Sequence, residues 1–149
     1  MISKILVPTD GSKIAQKAAK YAVKLAKETG ADILLLSVID KRFIVSRSIS
    51  AIASPTHLID TVEDYLKKAA EAYTKEIKEL CKKNNVQSKT LIRTGHPVEE
   101  IIKEAEKSKA DLIVMGSHGK SALKAAVLGS ITMGVIHKDT RIPVLLVRR

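Results

Sequence analysis

The chain has 149 residues, of which 45% are hydrophobic, so it is long and apolar enough for one ordinary domain, which we expect to span residues 1–149. No apolar run reaches the roughly 18 residues of a membrane-spanning helix, and the amino terminus carries no signal-peptide pattern. These features exclude a membrane partner and predict a cytoplasmic protein. Cys81 is the single cysteine, which excludes an intramolecular disulfide.

The net charge of +10 raises the question of a polyanion partner. The lysines are scattered through helical stretches among glutamates, a pattern that is typical of a solvated surface. Only Phe43 and three tyrosines are aromatic, whereas single-strand nucleic-acid binders depend on aromatic stacking platforms. We therefore do not expect nucleic acid as a partner, although a basic surface for some other partner stays an open alternative.

Short apolar runs predict β-strands, and helical patterns alternate with them. Most of these runs lack the polar alternation of a half-exposed strand, which indicates strands that are covered on both faces. The runs are residues 2–7, 33–38, 90–92, 112–115 and 144–147. The helical patterns extend from the N-cap Ser12 to Gly30, over residues 58–84, from Pro97 onwards and over about residues 130–137. Strict alternation predicts a parallel sheet with right-handed crossovers and helices on both faces.

One long irregular stretch separates the second strand from the second helix. Residues 40–56 contain Arg42, Arg47, Pro55 and several serines. A loop of that length in a compact domain is usually a binding loop, a lid or a disordered segment. The sequence leaves lid and disorder open.

The most informative segment begins with the buried strand that ends at Met115 and runs into Gly116-Ser117-His118-Gly119. After nine intervening residues, Gly129-Ser130 opens an apolar helical pattern. Glycines after a buried strand allow close approach to the main chain, and the first N–H groups of the following helix favour an anion. Gly116 and Gly119 alone would be unremarkable turn glycines, but together with Gly129-Ser130 they predict a phosphate site.

This spacing, Gly-x2-Gly-x9-Gly-Ser, resembles the nucleotide-binding pattern of the universal stress protein family, specifically of its ATP-binding branch. Residues 5–12 and 143–147 resemble the two ends of the family's sequence, so the resemblance covers nearly the whole chain. It implies one doubly wound α/β domain of the adenine nucleotide alpha hydrolase-like type, with a five-stranded parallel sheet in the order 3-2-1-4-5. That order reverses between the first and fourth strands, which is where open parallel sheets bind ligands.

The resemblance also implies a role for individual residues. Asp10 would accept hydrogen bonds from both ribose hydroxyls, a role that suits a short acceptor-only side chain. The alternative is that Asp10 caps the first helix or forms a turn with Gly11 and Ser12. The backbone of Val38 would pair with the adenine edge, which leaves its side chain free to pack in the core.

In the segment between the fourth strand and the fourth helix, the assignments are less specific. Ser130 can cap the helix, donate its hydroxyl to a phosphate, or do both. Lys120 neutralises a phosphate or is solvated, and His118 can be a simple turn residue. The complete set of nucleotide-binding residues that the resemblance implies is Pro8, Thr9, Asp10, Val38, Met115, Gly116, Ser117, His118, Gly119, Lys120, Ser121, Gly129, Ser130, Ile131 and Thr132.

Efficient catalysis is not expected. Hydrolysis of a nucleotide needs a positioned water, a base and usually a metal ion, yet residues 115–132 contain no Asp or Glu. We assign no catalytic residue and no protein metal site, and expect ATP, with Mg²⁺ or Mn²⁺ as candidate companions, to be hydrolysed slowly or not at all. By resemblance, the protein would be a regulator in the stress response that reports its nucleotide state to a partner.

Two alternative functions stay open. In the first, the same fold binds AMP or a cyclic nucleotide, although the small residues at positions 116, 119 and 129 favour a triphosphate. In the second, the protein is a basic partner-binding module in which the nucleotide site is vestigial.

The last predicted strand indicates an oligomer. Residues 142–147 would end the sheet as an apolar edge that only Arg148 and Arg149 protect, and such an edge tends to pair with another chain. In the family that the chain resembles, the corresponding strand forms a two-fold dimer. We therefore predict a homodimer through residues 142–148.

Overall fold

The computed structural model describes residues 1–42, 44, 55–118 and 128–148, with only the backbone of residues 55–60. The strands are β1 (Lys4–Pro8), β2 (Asp32–Asp40), β3 (Ser88–Gly95), β4 (Leu112–Gly116) and β5 (Val144–Val147). The helices are α1 (Lys13–Thr29), α2 (Pro55–Lys83), α3 (Pro97–Lys107) and α4 (Ser130–Ile136). Asp40 closes β2 and residues 55 and 56 begin α2, while most of the stretch predicted to be a lid or disordered lies outside the described residues.

The five strands form one parallel sheet in the order β3-β2-β1-β4-β5, which confirms the predicted topology. Ile5 of β1 is in register with Ile33 of β2 on one side and with Leu112 of β4 on the other. Strand β1 therefore lies at the centre of the sheet, and the chain order reverses between β1 and β4.

Both faces of the sheet are buried, which explains the continuous apolar runs. Successive side chains of a strand point to opposite faces. Val7 of β1 belongs to the core cluster that includes Ala22 of α1 and Ile77 of α2, whereas its neighbour Leu6 belongs to the cluster that includes Ile101 of α3. Helices α1 and α2 thus cover one face, and α3 and α4 cover the other.

Local signals in the sequence correctly predict the ends of α1. The Ser12 hydroxyl accepts a hydrogen bond from the N–H of Ala15 at 3.3 Å, as expected of an N-cap. Gly30 ends the helix in the left-handed conformation, with φ of 77°, and its N–H donates to the carbonyl of Ala26.

The edge strand β3 is longer than predicted, since it extends over Ser88–Gly95 rather than over residues 90–92. Most of its residues are only partly buried, and the residues on either side of positions 90–92 are mainly polar. An apolar run therefore does not mark the full length of the strand. The second helix likewise begins at Pro55, three residues before the predicted position 58. Within the described residues, no helix is both long and apolar enough to cross a bilayer.

Ile77 tests the packing of α2 on the sheet. Its side chain is fully buried in the cluster that contains Val7 and Leu35, so Ile77→Ala should lower the free energy of unfolding by about 2–5 kcal/mol in urea denaturation. Tyr65 lies on the same helix and is 72% exposed, and Tyr65→Ala should change the value by no more than about 0.5 kcal/mol. Equal effects of the two substitutions would contradict the packing described.

Candidate functional site

A cavity of about 410 Å³ opens at the carboxyl ends of β1 and β4, where the strand order reverses. Its volume falls within the range of roughly 300–1,000 Å³ that is usual for small-molecule sites. The predicted site residues that line it are Pro8, Thr9, Asp10, Val38, Met115, Gly116, His118, Gly129, Ser130, Ile131 and Thr132. Ser117 is buried but is not part of the lining, and Gly119, Lys120 and Ser121 lie outside the described residues.

The turn between β1 and α1 is held by its own side chains. The buried hydroxyl of Thr9 donates to Oε1 of Gln16 at 2.8 Å and accepts from the N–H of Gly11 at 3.2 Å. Oδ1 of Asp10 accepts from the N–H of Ser12 at 2.9 Å, which makes a side-chain turn. The turn that the sequence left as an alternative role for Asp10 is therefore present, whereas the cap of α1 is Ser12. Because a carboxylate can accept about four hydrogen bonds, this turn is compatible with ligand binding.

Gly116 has a packing role that the sequence did not predict. A Cβ at this position would lie 3.2 Å from both Cγ1 and Cγ2 of Ile14 in α1, and 3.3 Å from the carbonyl oxygen of His118. Such distances are tighter than ordinary van der Waals contact. The missing side chain therefore lets α1 pack closely against the end of β4.

Hydrogen bonds connect the start of α4 to the end of β4. The N–H of Gly129 donates to the carbonyl of Ser117 at 2.9 Å. The buried hydroxyl of Thr132 donates to the carbonyl of Gly116 at 3.0 Å. Together they hold the first turn of α4 beside the cavity.

Ser130 does not cap α4, and this part of the prediction is wrong. The N-cap is Gly129, with extended φ and ψ of −66° and 156° and no side-chain cap bond. Ser130 is the first helical residue and is exposed. A capping hydroxyl must stand on the extended residue that precedes the helix, so Ser130 comes one position too late for that role.

His118 is more enclosed than a simple turn residue. It is 8% exposed, and its Nδ1 lies 3.2 Å from the hydroxyl of Ser117 while the residue lines the cavity. Among the described residues, no group of three or more His, Cys, Asp or Glu is placed to hold a metal ion.

Helix α2 supplies a wall of the cavity that sequence reasoning missed. Leu66, Ala69 and Tyr73 line the cavity at helical spacing, and the hydroxyl of Tyr73 forms a hydrogen bond with that of Ser37 in β2. The sequence places these residues on the apolar face of the helix, which is the only signal available. Nothing local indicates that this face passes over the ends of β1 and β2.

Asp40 is a second carboxylate in the lining that the site prediction omitted. Burial raises the pKa of Asp40, but hydrogen bonds from Arg42 outweigh this and bring it below its usual value. The backbone N–H of Arg42 donates at 2.9 Å and its Nη2 at 3.0 Å. Burial also raises the pKa of Tyr73. At neutral pH, Asp40 is therefore charged and the Tyr73 phenol is neutral.

The fold and the cavity define a doubly wound α/β domain with a candidate ligand site, and comparison with known proteins identifies its family. Residues 1–148 match the model of the universal stress protein family, and the chain belongs to that family. Universal stress protein MJ0577 of Methanocaldococcus jannaschii is 38% identical over 159 residues, which cover all of this chain and 96% of that protein. Universal stress protein YxiE of Bacillus subtilis is 37% identical over 149 residues, with 99% of this chain and 100% of that protein covered.

Solved structures agree with this assignment. The structure of MJ0577 superimposes with a TM-score of 0.85 at 37% identity and covers 100% of this chain and 97% of that one. Two more distant structures share the fold, with TM-scores of 0.70 and 0.68 at 21% and 15% identity, over 99% of this chain and 97% and 98% of theirs. The first is a universal stress protein in complex with cAMP, and the second is one from Archaeoglobus fulgidus in complex with dAMP.

Thr132 and Ser130 offer a paired test of how α4 is held. Thr132→Val keeps the shape of the side chain but leaves the Gly116 carbonyl without this donor, so the free energy of unfolding should fall by about 1–3 kcal/mol. Ser130→Ala should change it by no more than about 0.5 kcal/mol, because Ser130 makes no cap bond. Urea denaturation without nucleotide measures both. A larger loss for Ser130→Ala would restore Ser130 as the cap.

Proposed function

We propose that this universal stress protein binds ATP in the cavity at the carboxyl ends of β1 and β4 and acts as a nucleotide-dependent regulator in the stress response. One observation carries the proposal: two loops more than a hundred residues apart bring Asp10 and Ser130 to one cavity. That cavity lies at the reversal point of a parallel sheet, where ligands of such folds bind. The relatives in complex with cAMP and dAMP support an adenine nucleotide as the class of ligand.

The base and the ribose would occupy the half of the cavity at the ends of β1 and β2. Val38 lines this half, and its backbone would pair with the adenine edge. Leu36 and Ile101 supply apolar surface for the base. Asp10 would bind the ribose hydroxyls, as its position after β1 and its acceptor-only side chain suggest.

The phosphates would lie against the start of α4. The first N–H groups of a helix have no partner within the helix, and Ser130 adds an exposed hydroxyl at this point. Gly129 keeps the lining free of side-chain bulk. A divalent cation such as Mg²⁺ or Mn²⁺ would neutralise phosphate charge and bind through the phosphates, with Asp10 as the candidate carboxylate.

We further propose that hydrolysis is slow or absent, so that the bound nucleotide reports a state to a partner. A general base must reach the attacking water near the terminal phosphate. The lining contains the carboxylates of Asp10 and Asp40, but neither belongs to the segment between β4 and α4, which has no acidic residue from Met115 to Thr132. The protein would therefore act by binding rather than by turnover.

Titration calorimetry with ATP, ADP, AMP and cAMP, with and without Mg²⁺, tests the proposed ligand. We expect ATP to bind most tightly, because a triphosphate would reach the start of α4 while the base and ribose lie at the ends of β1 and β2. Gly129→Val should weaken ATP binding by at least about tenfold, roughly 1.4 kcal/mol, and should weaken AMP binding less. The backbone of Gly129 has φ of −66° and ψ of 156°, which valine can adopt, so strain is not the cause.

Gly129→Ala serves as the graded control, and its effect on ATP should be smaller than that of valine. Tighter binding of AMP or cAMP than of ATP would favour a monophosphate ligand instead. If no nucleotide binds and the protein captures a polyanion with a steep dependence on salt, the basic-module alternative, which the net charge of +10 supports, would replace the proposal.

We also propose that the protein forms a homodimer through residues 142–148, which include β5. Strand β5 pairs only with β4 in the described sheet, so its other backbone edge faces outward. The carbonyls of Pro143 and Val147 accept hydrogen bonds from the β4 side. Because backbone groups alternate along a strand, the N–H of Leu146 points to the outer edge.

Light scattering at micromolar concentration should therefore give a dimer for the wild type and a monomer for Leu146→Pro, which removes an outward N–H without removing a bond to β4. Leu146→Ala is the matched control, since it loses the same side chain but keeps the N–H, and it should stay dimeric. A monomeric wild type, or a dimeric proline variant, would contradict pairing through this edge.

A further inference from the structure

The ring of Tyr73 lies directly against the main chain of Gly11. Gly11 has φ of 80°, in the left-handed region that favours glycine. A Cβ at this position would also lie 2.8 Å from Cε2 and 3.0 Å from Cγ of the Tyr73 ring. Position 11 therefore excludes a side chain for two independent reasons, one of backbone conformation and one of packing.

Tyr73 also forms hydrogen bonds with strand β2 and with helix α1. Its hydroxyl forms a hydrogen bond with the fully buried Ser37, one residue before Val38. Its carbonyl accepts a hydrogen bond from Nε2 of Gln16 at 3.0 Å, and Oε1 of Gln16 in turn accepts from Thr9. One residue of α2 thus connects the turn that carries Asp10 with the end of the strand that carries Val38.

We propose that Tyr73 is a positioning residue that holds the turn of Asp10 in the conformation that binds ribose, and so makes the site selective for ribonucleotides over 2′-deoxyribonucleotides. The inference rests on the proposed nucleotide binding and goes beyond it. Tyr73 lines the cavity with Asp10 but acts on the sugar through the turn it packs against.

The physical basis is the accuracy that a carboxylate needs to bind two neighbouring hydroxyls at once. Such a site must be held within about 0.5 Å of its productive geometry by surrounding packing. The Thr9 and Ser12 bonds fix the turn internally, and the Tyr73 ring fixes it relative to β2. When the turn is held, a ligand without the 2′-hydroxyl loses a charge-assisted hydrogen bond, which corresponds to about 10- to 100-fold in affinity.

The experiment compares the dissociation constants of ATP and 2′-deoxyATP by titration calorimetry. The wild type should prefer ATP by about tenfold or more. Tyr73→Ala and Gly11→Ala should reduce this preference to about twofold or less, mainly through weaker binding of ATP. Tyr73→Phe keeps the ring against Gly11 but loses the bond to Ser37, so it should retain more of the preference than Tyr73→Ala does.

Two matched controls separate positioning from general loss of structure. Gly30→Ala carries the same left-handed strain, since φ of Gly30 is 77°, but nothing lies within 4 Å of the added Cβ. Tyr65→Ala removes an exposed tyrosine from the same helix. Both controls should keep the preference for ATP. If Tyr73→Ala does not fold, Tyr73→Leu and Gly11→Ala carry the test.

The outcomes distinguish the two proposals. A wild type that binds ATP and 2′-deoxyATP equally overturns the role of Tyr73 but leaves nucleotide binding standing. The role of Tyr73 is likewise overturned if Tyr73→Ala and Gly11→Ala weaken both nucleotides by the same factor, because a purely structural role would have that effect. A wild type that binds neither nucleotide overturns the proposed function itself.

Discussion

The pairing of β1 with β4 is the constraint on which the rest of the structure depends. Two strands separated by more than a hundred residues lie side by side at the centre of the sheet. The chain leaves β1 for α1 on one face and leaves β4 towards α4 on the other. The helices that follow these strands therefore lie on opposite faces, and the carboxyl ends of the strands border a gap that forms the cavity.

Absent side chains bring the helices close to this gap. At Gly116 the missing Cβ makes room for Ile14 of α1, and at Gly11 it makes room for the ring of Tyr73 on α2. In both places a helix side chain packs on bare main chain at the end of a strand. Close packing of helix side chains on the main chain therefore determines where the polar groups of the cavity lie.

The sequence predicts the features that depend on neighbouring residues or on the face of an element. Ser12 and Gly30 predict the ends of α1 because helix caps depend on residues next to the helix end. The strands that are buried on both faces are predicted by their apolar runs. The glycine spacing and the family it resembles bring Asp10 and Gly129 to one cavity, as the structure also places them.

The sequence cannot predict contacts between residues that are distant along the chain. The sequence predicts only that Tyr73 lies on the apolar face of an amphipathic helix. Its position beside Gly11 and Ser37 depends on the fold. The sequence does not identify Asp40 as a lining residue, because its place in the cavity depends on where β2 ends. The wrong assignment of Ser130 as a cap has a smaller cause, since a shift of one residue at the start of a helix moves the capping position to Gly129.

The most direct test of the central claim is a crystal structure of the protein with ATP bound. We predict that the ribose lies at Asp10 and the triphosphate against the main chain of residues 129–131, inside the cavity at the carboxyl ends of β1 and β4. ATP bound elsewhere, or bound there with its phosphates at the end of β2, would contradict the account.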